Sequence, residues 1–384
     1  MADASPIRLA VIGCGAISER GHLPAALVVP QVRVAALVDK DQARAEKLAQ
    51  KHPGAVVTDD YRTVTGNIDA AVVALPPSLH APVTIDLLQR GVHVLVEKPM
   101  ARNIAECDAM IAAARERGAM LAVGLVRRFR WAYRLAKHLI AAGGLGRVES
   151  FDVHEGGVFD WPIASPFFLK RDAAGGGVFA DAGAHVIDAL LWWFGDVANF
   201  EYRDDAMGGV EGDCELHLEM TGTGESEQGV AGTVQLSRTR SMRNTTIIRG
   251  TQATLEIHAF TNDIKLQFAT GRQPLVLRGA LTEPASGVGA KPVAENVMAE
   301  QLIDLADAIR QKRQPTVTGE EGRRSVAVIE ACYARRKPLR HAWVFEGVPN
   351  DSSFRRGALP RADIQSPTTS TIAATSAQTV GGAA

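Results

Sequence analysis

The chain has 384 residues, 46% hydrophobic and 22% charged, with a formal net charge of −1. That length has room for about two to three domains, and the balance gives no electrostatic reason to bind nucleic acid or an acidic membrane surface. No apolar run reaches the roughly 18 residues of a membrane span. The N-terminus has no basic or apolar leader pattern, and the four cysteines form no C-x-x-C pair; this speaks against a metal site or disulfide framework and for a reducing, cytoplasmic setting.

In chain order, Ile7–Ile12 is an apolar run closed by glycine, the pattern of a buried parallel strand. A helix, a strand at Val32–Val38 and a helix at Asp41–His52 follow. Strands at 69–75, 92–97 and 120–126 alternate with helices at 79–90 and 104–117. This alternation predicts an α/β class chain that opens with a doubly wound parallel sheet over residues 1–128. The rhythm then changes. A helix at 131–142, a strand at 147–158 and an irregular stretch at 159–176 lead into an apolar helix at 175–194. Short alternating runs between 199 and 278 predict a mostly antiparallel sheet. Helices at 295–311 and 320–335 complete an α+β domain over 129–348. The tail at 349–384 is rich in Ser, Thr, Ala and Gly and is expected to be disordered.

Gly13-Cys14-Gly15-Ala16-Ile17-Ser18 stands directly after the first strand and opens a helix. This is the dinucleotide fingerprint with serine in the third glycine position. The glycines allow a tight turn and close approach of a pyrophosphate. The helix N-terminus supplies free N–H groups. Asp39 ends the second strand at about the 20-residue distance expected of a ribose-binding acid. Its charge would repel a 2′-phosphate and favours NAD; Lys40 beside it keeps NADP open.

Two further stretches carry chemistry. Glu97-Lys98-Pro99 ends a parallel strand, where ligands sit in open sheets. Proline holds Lys98 extended, and a lysine there can hydrogen-bond a substrate hydroxyl and offset its developing charge. In the helix at 175–194, Asp181, His185 and Asp188 are spaced to lie on one face. A buried carboxylate beside an imidazole serves proton transfer equally well as it serves a structural pair.

The chain resembles the Gfo/Idh/MocA oxidoreductases. The matching elements are Gly13-x-Gly15-x-x-Ser18, Leu75-Pro76-Pro-Ser-Leu-His80, Glu97-Lys98-Pro99, Arg127-Arg128-Phe129 and Gly175-Gly-Gly-x-x-x-Asp181-x-Gly-x-His185-x-x-Asp188, in order over roughly residues 6–345. The resemblance implies a Rossmann domain followed by a domain with an open antiparallel sheet. It also implies hydride transfer between a nicotinamide and a sugar, cyclitol or nucleotide-sugar hydroxyl. Lys98, Asp181 and His185 would be the catalytic group: His185 takes the hydroxyl proton, Asp181 orients His185, and Lys98 steadies the reacting oxygen. Asp188 would be a supporting partner. Leu75, Pro76, His80, Glu97 and Lys98 would line the cofactor with the glycine loop, and Lys98–Pro99 would be cis. Leu75 departs from the Thr or Asn usual at its position, so its contact has to come from backbone. Trp131 replaces a usual proline.

Arg128, His154, Asp160 and Trp161 are candidate substrate contacts, although His80 and His154 also read as satisfied structural groups. Trp161 suits sugar stacking or the pinning of a loop. Arg238, Arg240, Arg243 and Arg249 could form an anionic-substrate patch, but a solvated face is the better reading. The glycines at 175–177 read as positions that bring their helix close to the nicotinamide. The open sheet suggests a homodimer or homotetramer. An NAD-dependent glycosidase with transient redox, or a non-catalytic dinucleotide sensor, are the competing functions.

Overall fold

A computed structural model describes residues 5–162, 166–222, 229–261, 263–271, 273–277 and 296–339. The first half builds a parallel sheet from β1 (Ile7–Ile12), β2 (Val32–Val38), β3 (Val56–Thr58), β4 (Ala70–Val73), β5 (His93–Val96) and β6 (Leu121–Val123), in the order β3-β2-β1-β4-β5-β6. The central strands are buried on both faces, which is why β4 reads as an unbroken apolar run and β1 as one from Leu9 on, after Arg8. The strand order reverses between β1 and β4. The crevice beyond their carboxyl ends is the place where open α/β sheets bind ligands.

Helices α1 (Leu23–Val28), α2 (Gln42–Ala49), α3 (Pro77–Gln89) and α4 (Ile104–Arg117) cross over between these strands. Asp41 caps α2 by accepting the Arg44 N–H, and Asn103 caps α4 by accepting the Glu106 N–H. Helix α4 stops at Gly118, whose φ of 62° is left-handed.

After α5 (Trp131–Ala141), the second sheet contains β7 (Val148–Gly156), β8 (Val197–Asp204), β9 (Asp213–Met220), β10 (Val230–Ser237), β11 (Thr245–Gly250), β12 (Ala253–His258), β13 (Ile264–Phe268) and β14 (Leu275–Leu277), joined at one edge by β15 (Lys337–Pro338). Among the described residues its pairs are antiparallel except β7 with β10 and β8 with β15. The short α6 (Arg171–Ala174) and the buried α7 (Val178–Phe194) precede β8, and α7 packs on β9 and β10.

Chain order does not describe where the last helices go. Helix α8 (Val297–Gln311) falls in the expected second domain, yet its buried face packs on the first sheet. Ala299, Leu302, Leu305 and Ala306 share one core with Leu9, Val11, Leu37 and Val72. Helix α9 (Gly319–Ala334) lies against both α4 and α7. The stretch 349–384 lies outside the described residues. All four cysteines are buried and free. Among the described residues no helix is long and apolar enough to cross a membrane.

Candidate active site

The glycine turn is set by sterics. Gly13 has φ of +96°, and a Cβ there would stand 2.3 Å from the Ala74 carbonyl oxygen, so no side chain fits. Its N–H donates to Val38 O at 2.8 Å, and the Ser18 hydroxyl returns to Gly13 O at 2.6 Å. That bond satisfies the buried serine in the third glycine position. A Cβ on Gly15 would meet nothing within 4 Å, so the backbone there faces open space. Ala16 and Ile17 begin the helix, which widens over Ser18–His22 to i→i+5 hydrogen bonding before α1.

Asp39 is held on the same crevice. Its Oδ2 accepts the Cys14 N–H at 2.7 Å and its Oδ1 the Asp41 N–H at 2.8 Å. Arg44 approaches to 3.8 Å, and Lys40 is exposed beside it. A turn without room for Cβ, an uncovered backbone at Gly15 and a fixed carboxylate at the end of β2 fit the pyrophosphate and ribose of a dinucleotide. Leu75 and Pro76 follow β4, half-buried, at the switch point.

Two residues expected on the cofactor are turned to other work. The His80 ring is buried, with Nε2 at 2.7 Å from Leu75 O and Nδ1 at 2.9 Å from Pro99 O. It ties the loop after β4 to the Lys98–Pro99 peptide, which is cis. A neutral imidazole can donate to only one of those carbonyls. Burial pushes its proton affinity below the ordinary histidine value. Glu97 is also buried: Oε1 lies 2.7 Å from His22 Nε2, and Oε2 accepts the Lys98 N–H at 3.1 Å. Burial alone would raise its pKa, but the His22 bond and the nearby charges hold it below the usual carboxylate range. Both side chains brace the turn that aims Lys98.

Lys98 Nζ bonds Asp181 Oδ1, joining the end of β5 to α7. The other oxygen, Oδ2, is taken by Arg238 at 2.5 Å. This corrects the expected Asp–His pair: both carboxylate oxygens are engaged, and His185 Nδ1 is buried with no hydrogen-bond partner. Burial would raise the pKa of Asp181, but Lys98 and Arg238 hold it well below the carboxylate range. His185 is pushed well below the ordinary histidine value by burial and then by the charges of Lys98 and Arg127, against the pull of Asp181. The imidazole is therefore neutral at physiological pH.

The start of α7 is fixed by a residue that sequence reasoning missed. Glu211, in the loop between β8 and β9, accepts the N–H groups of Gly177 and Phe179 and the Tyr333 hydroxyl on one oxygen, Oε1. Its carbonyl accepts the Val178 N–H. A buried carboxylate suits the positive end of a helix. A Cβ on Gly177 would stand 2.0 Å from Glu211 O, and one on Gly176 2.0 Å from the Tyr333 hydroxyl. Gly176 and Gly177 make room for the cap.

The four substrate candidates separate. Arg128 is 5% exposed and spends its guanidinium on Asp188, with bonds of 2.6–3.1 Å, and on Glu321, so it is not a substrate group. Asp188 is thereby a buried structural partner. Arg127 is likewise committed to Glu155 at 2.6 Å through both its NH1 and NH2 nitrogens. His154 is misplaced by the sequence reading. Phe151, Val153 and Glu155 of β7 are buried, so by alternation Asp152 and His154 occupy the opposite sheet face, away from α7. Asp160 and Trp161 do lie in the loop after β7, with Trp161 37% exposed and its ring 5.7 Å from the Arg20 guanidinium carbon, next to the glycine turn.

Arg238 is the main residue the sequence reading misjudged. It is not on a solvated face: its guanidinium lies 4.8 Å from the Phe159 ring centroid and 5.7 Å from that of Phe168. Its position directly after the last residue of β10 was the available signal. His22, directly before the apolar run of α1, carried a weaker one.

A glycine turn on a parallel sheet, facing a lysine–carboxylate pair and a neutral imidazole, defines the class of nicotinamide-dependent oxidoreductases. Residues 7–125 match the model of the oxidoreductase family with an NAD-binding Rossmann fold, and 133–256 match the GFO/IDH/MocA C-terminal domain. Among curated relatives, dTDP-3,4-didehydro-2,6-dideoxy-alpha-D-glucose 3-reductase of Actinomadura kijaniata is 28% identical over 84% of this chain and 91% of its own. The D-glucoside 3-dehydrogenase of Escherichia coli K12 is 28% identical, over 50% of this chain and about half (55%) of its own. Among solved structures, the aldose–aldose oxidoreductase of Caulobacter crescentus, complexed with glycerol, superposes with a TM-score of 0.73 at 25% identity, covering 86% of this chain and 97% of that one. The chain belongs to the Gfo/Idh/MocA family of NAD(P)-dependent oxidoreductases.

Proposed function

We propose that this enzyme oxidises a secondary hydroxyl of a sugar, cyclitol or nucleotide sugar to the ketone, or runs the reverse reduction, with Lys98, Asp181 and His185 as its reacting group. The observation that carries the reading is the Lys98–Asp181 bond, which fixes an ammonium at the carboxyl end of β5 within one helical turn of His185 on α7. Named relatives act on sugar hydroxyl or keto groups, and one solved neighbour holds glycerol. A nicotinamide held there would supply the hydride acceptor or donor. Lys98 hydrogen-bonds the reacting oxygen and offsets its negative charge. Asp181 keeps Lys98 in place. His185, neutral in the resting site, receives the hydroxyl proton. Cofactor contacts fall to the turn at Gly13, Gly15, Ala16, Ile17 and Ser18, to Asp39 and Lys40, and to backbone at Leu75 and Pro76. Asp160 and Trp161 stand as substrate contacts. The sheet face bearing Asp152, Glu201, His217 and Arg249 is the surface we assign to self-association into a homodimer or homotetramer.

A panel of sugars, inositols and sugar acids with NAD or NADP tests the reading through absorbance of the reduced cofactor. Net reduction with at least one polyol is expected. Cleavage of a glycoside without net reduction would move the enzyme to the glycosidase alternative, and cofactor binding with no turnover would move it to the sensor alternative. On an active substrate, His185→Asn is expected to remove the acidic limb of the kcat/KM profile, which in the wild type is expected well below the ordinary histidine range. A retained limb with a near-normal rate would exclude His185 as the proton acceptor.

Asp39 sets cofactor preference. Its carboxylate suits a ribose diol and opposes a 2′-phosphate. Asp39→Asn is expected to move the NAD:NADP affinity ratio about tenfold toward NADP, or about 1.4 kcal/mol. Tryptophan-quenching titrations read both dissociation constants, and an unchanged ratio would assign the preference elsewhere.

A further inference from the structure

Asp181 and His185 share a helical face at i,i+4 spacing, yet no hydrogen bond joins them among the described residues. The reason lies on another element. Arg238 follows β10, with its N–H given to Gly212 O at 2.8 Å and its carbonyl taken by the Phe159 N–H at 2.9 Å. Its backbone is thus fixed on both sides. Its side chain is 15% exposed and covered by the Phe159 and Phe168 rings. A planar guanidinium stacked on aromatic rings is held in one orientation, which a lysine cannot reproduce.

We propose that Arg238 is a positioning residue: by occupying Asp181 Oδ2 it withholds that carboxylate from His185 and leaves Lys98 as its sole catalytic partner. This rests on the reading of Lys98, Asp181 and His185 as the reacting group. The charges acting on His185 come from every side: Lys98 from the end of β5, Arg127 and Arg130 from the turn before α5, and Asp181 from α7 itself. Burial and the cations favour the neutral ring; Arg127 is matched by Glu155, and Asp181 is the anion acting on the imidazole in the opposite direction. Without Arg238, a free Oδ2 one turn away would accept an imidazolium N–H and favour the charged ring. Two cations on one carboxylate also leave this cluster net positive, which suits a site where negative charge grows on a substrate oxygen.

The test is an NMR titration of the His185 ring in the full-length protein, without substrate or cofactor, with the resonance assigned by loss in His185→Asn. In Arg238→Met the midpoint is expected to rise by about half a unit to one unit. In an Asp181→Asn background the same Arg238→Met change is expected to give less than half that rise, because the carboxylate that would capture the ring is gone. Arg238→Lys is expected to show the raised midpoint, since it keeps the charge but not the stacked fork. No rise in Arg238→Met, or an equal rise in both backgrounds, would overturn the proposal. If Arg238→Met does not fold by circular dichroism, Arg238→Ala, which likewise removes every side-chain donor to Asp181 Oδ2, is read by the same criteria. The functional reading fails separately: a raised His185 midpoint with an unmoved acidic limb of kcat/KM would remove His185 from catalysis and leave the role of Arg238 toward Asp181 intact.

Discussion

Replacing Lys98 by methionine is expected to lower kcat about 10³-fold, within the range for losing one preorganised charge at a reacting oxygen. Methionine keeps the length and removes the ammonium. The cofactor dissociation constant is expected to stay within about threefold of wild type, because the bonds that hold the glycine turn and Asp39 do not involve the lysine side chain. Asp181 would still hold Arg238, so the fold at the start of α7 is retained through that contact and the Glu211 cap. Steady-state kinetics with an identified polyol and a cofactor-quenching titration are the two measurements. A kcat within tenfold of wild type would remove Lys98 from the chemistry. A loss confined to cofactor affinity would make it a cofactor ligand alone.

The second large effect is on stability. Arg128→Met leaves Asp188, 1% exposed, as a buried carboxylate without its guanidinium. Breaking a buried ion pair from one side costs about 3–5 kcal/mol. The pH dependence has a definite sign. Burial already holds the Asp188 carboxyl above its ordinary value, against the pull of Arg128. Removing Arg128 raises it further. A carboxyl raised in the folded state is stabilising when protonated, and that contribution is lost as pH rises through its folded pKa. The variant should therefore lie furthest below wild type near neutral pH and recover toward it as pH falls. Urea unfolding at several pH values reads this. A pH-independent deficit would mean that Asp188 is not what destabilises the variant. Arg128→Met combined with Asp188→Leu should recover much of the loss, since an apolar pair replaces a half-broken ionic one.

What the sequence disclosed follows from the range of the interactions involved. Five of the six parallel strands were readable because burial makes them mainly apolar, a property of the segment alone; β3 was not, being three residues long at the sheet edge and only partly buried. The glycine turn was readable for the same reason: Gly13 and Ser18 bond within five residues of each other. Lys98 and Asp181 were legible as residue types, through resemblance, but their pairing spans 83 positions and no local pattern encodes it. Helical spacing put Asp181, His185 and Asp188 on one face and suggested that they serve each other. Each instead takes its partners from elsewhere or has none: Asp181 from β5 and β10, Asp188 from the turn before α5. Spacing says which side chains are neighbours, not which carboxylate oxygen is already occupied. The error at His154 has a different origin. Alternation along β7 separates two faces, and nothing local says which one receives α7. Glu211 had no signal, since a cap supplied from a loop 34 residues away leaves no mark near the helix it caps.

The return of α8 to the first sheet bears on how the protein is made. Leu302 and Leu305 complete a core begun by Leu9 and Val11, so the nucleotide-binding half leaves the ribosome with one apolar flank bare until α8 (Val297–Gln311) has also been made. A fragment ending near residue 128 would carry the whole glycine fingerprint and still expose that flank, making it a substrate for chaperones and a seed for aggregation rather than a small nucleotide-binding protein.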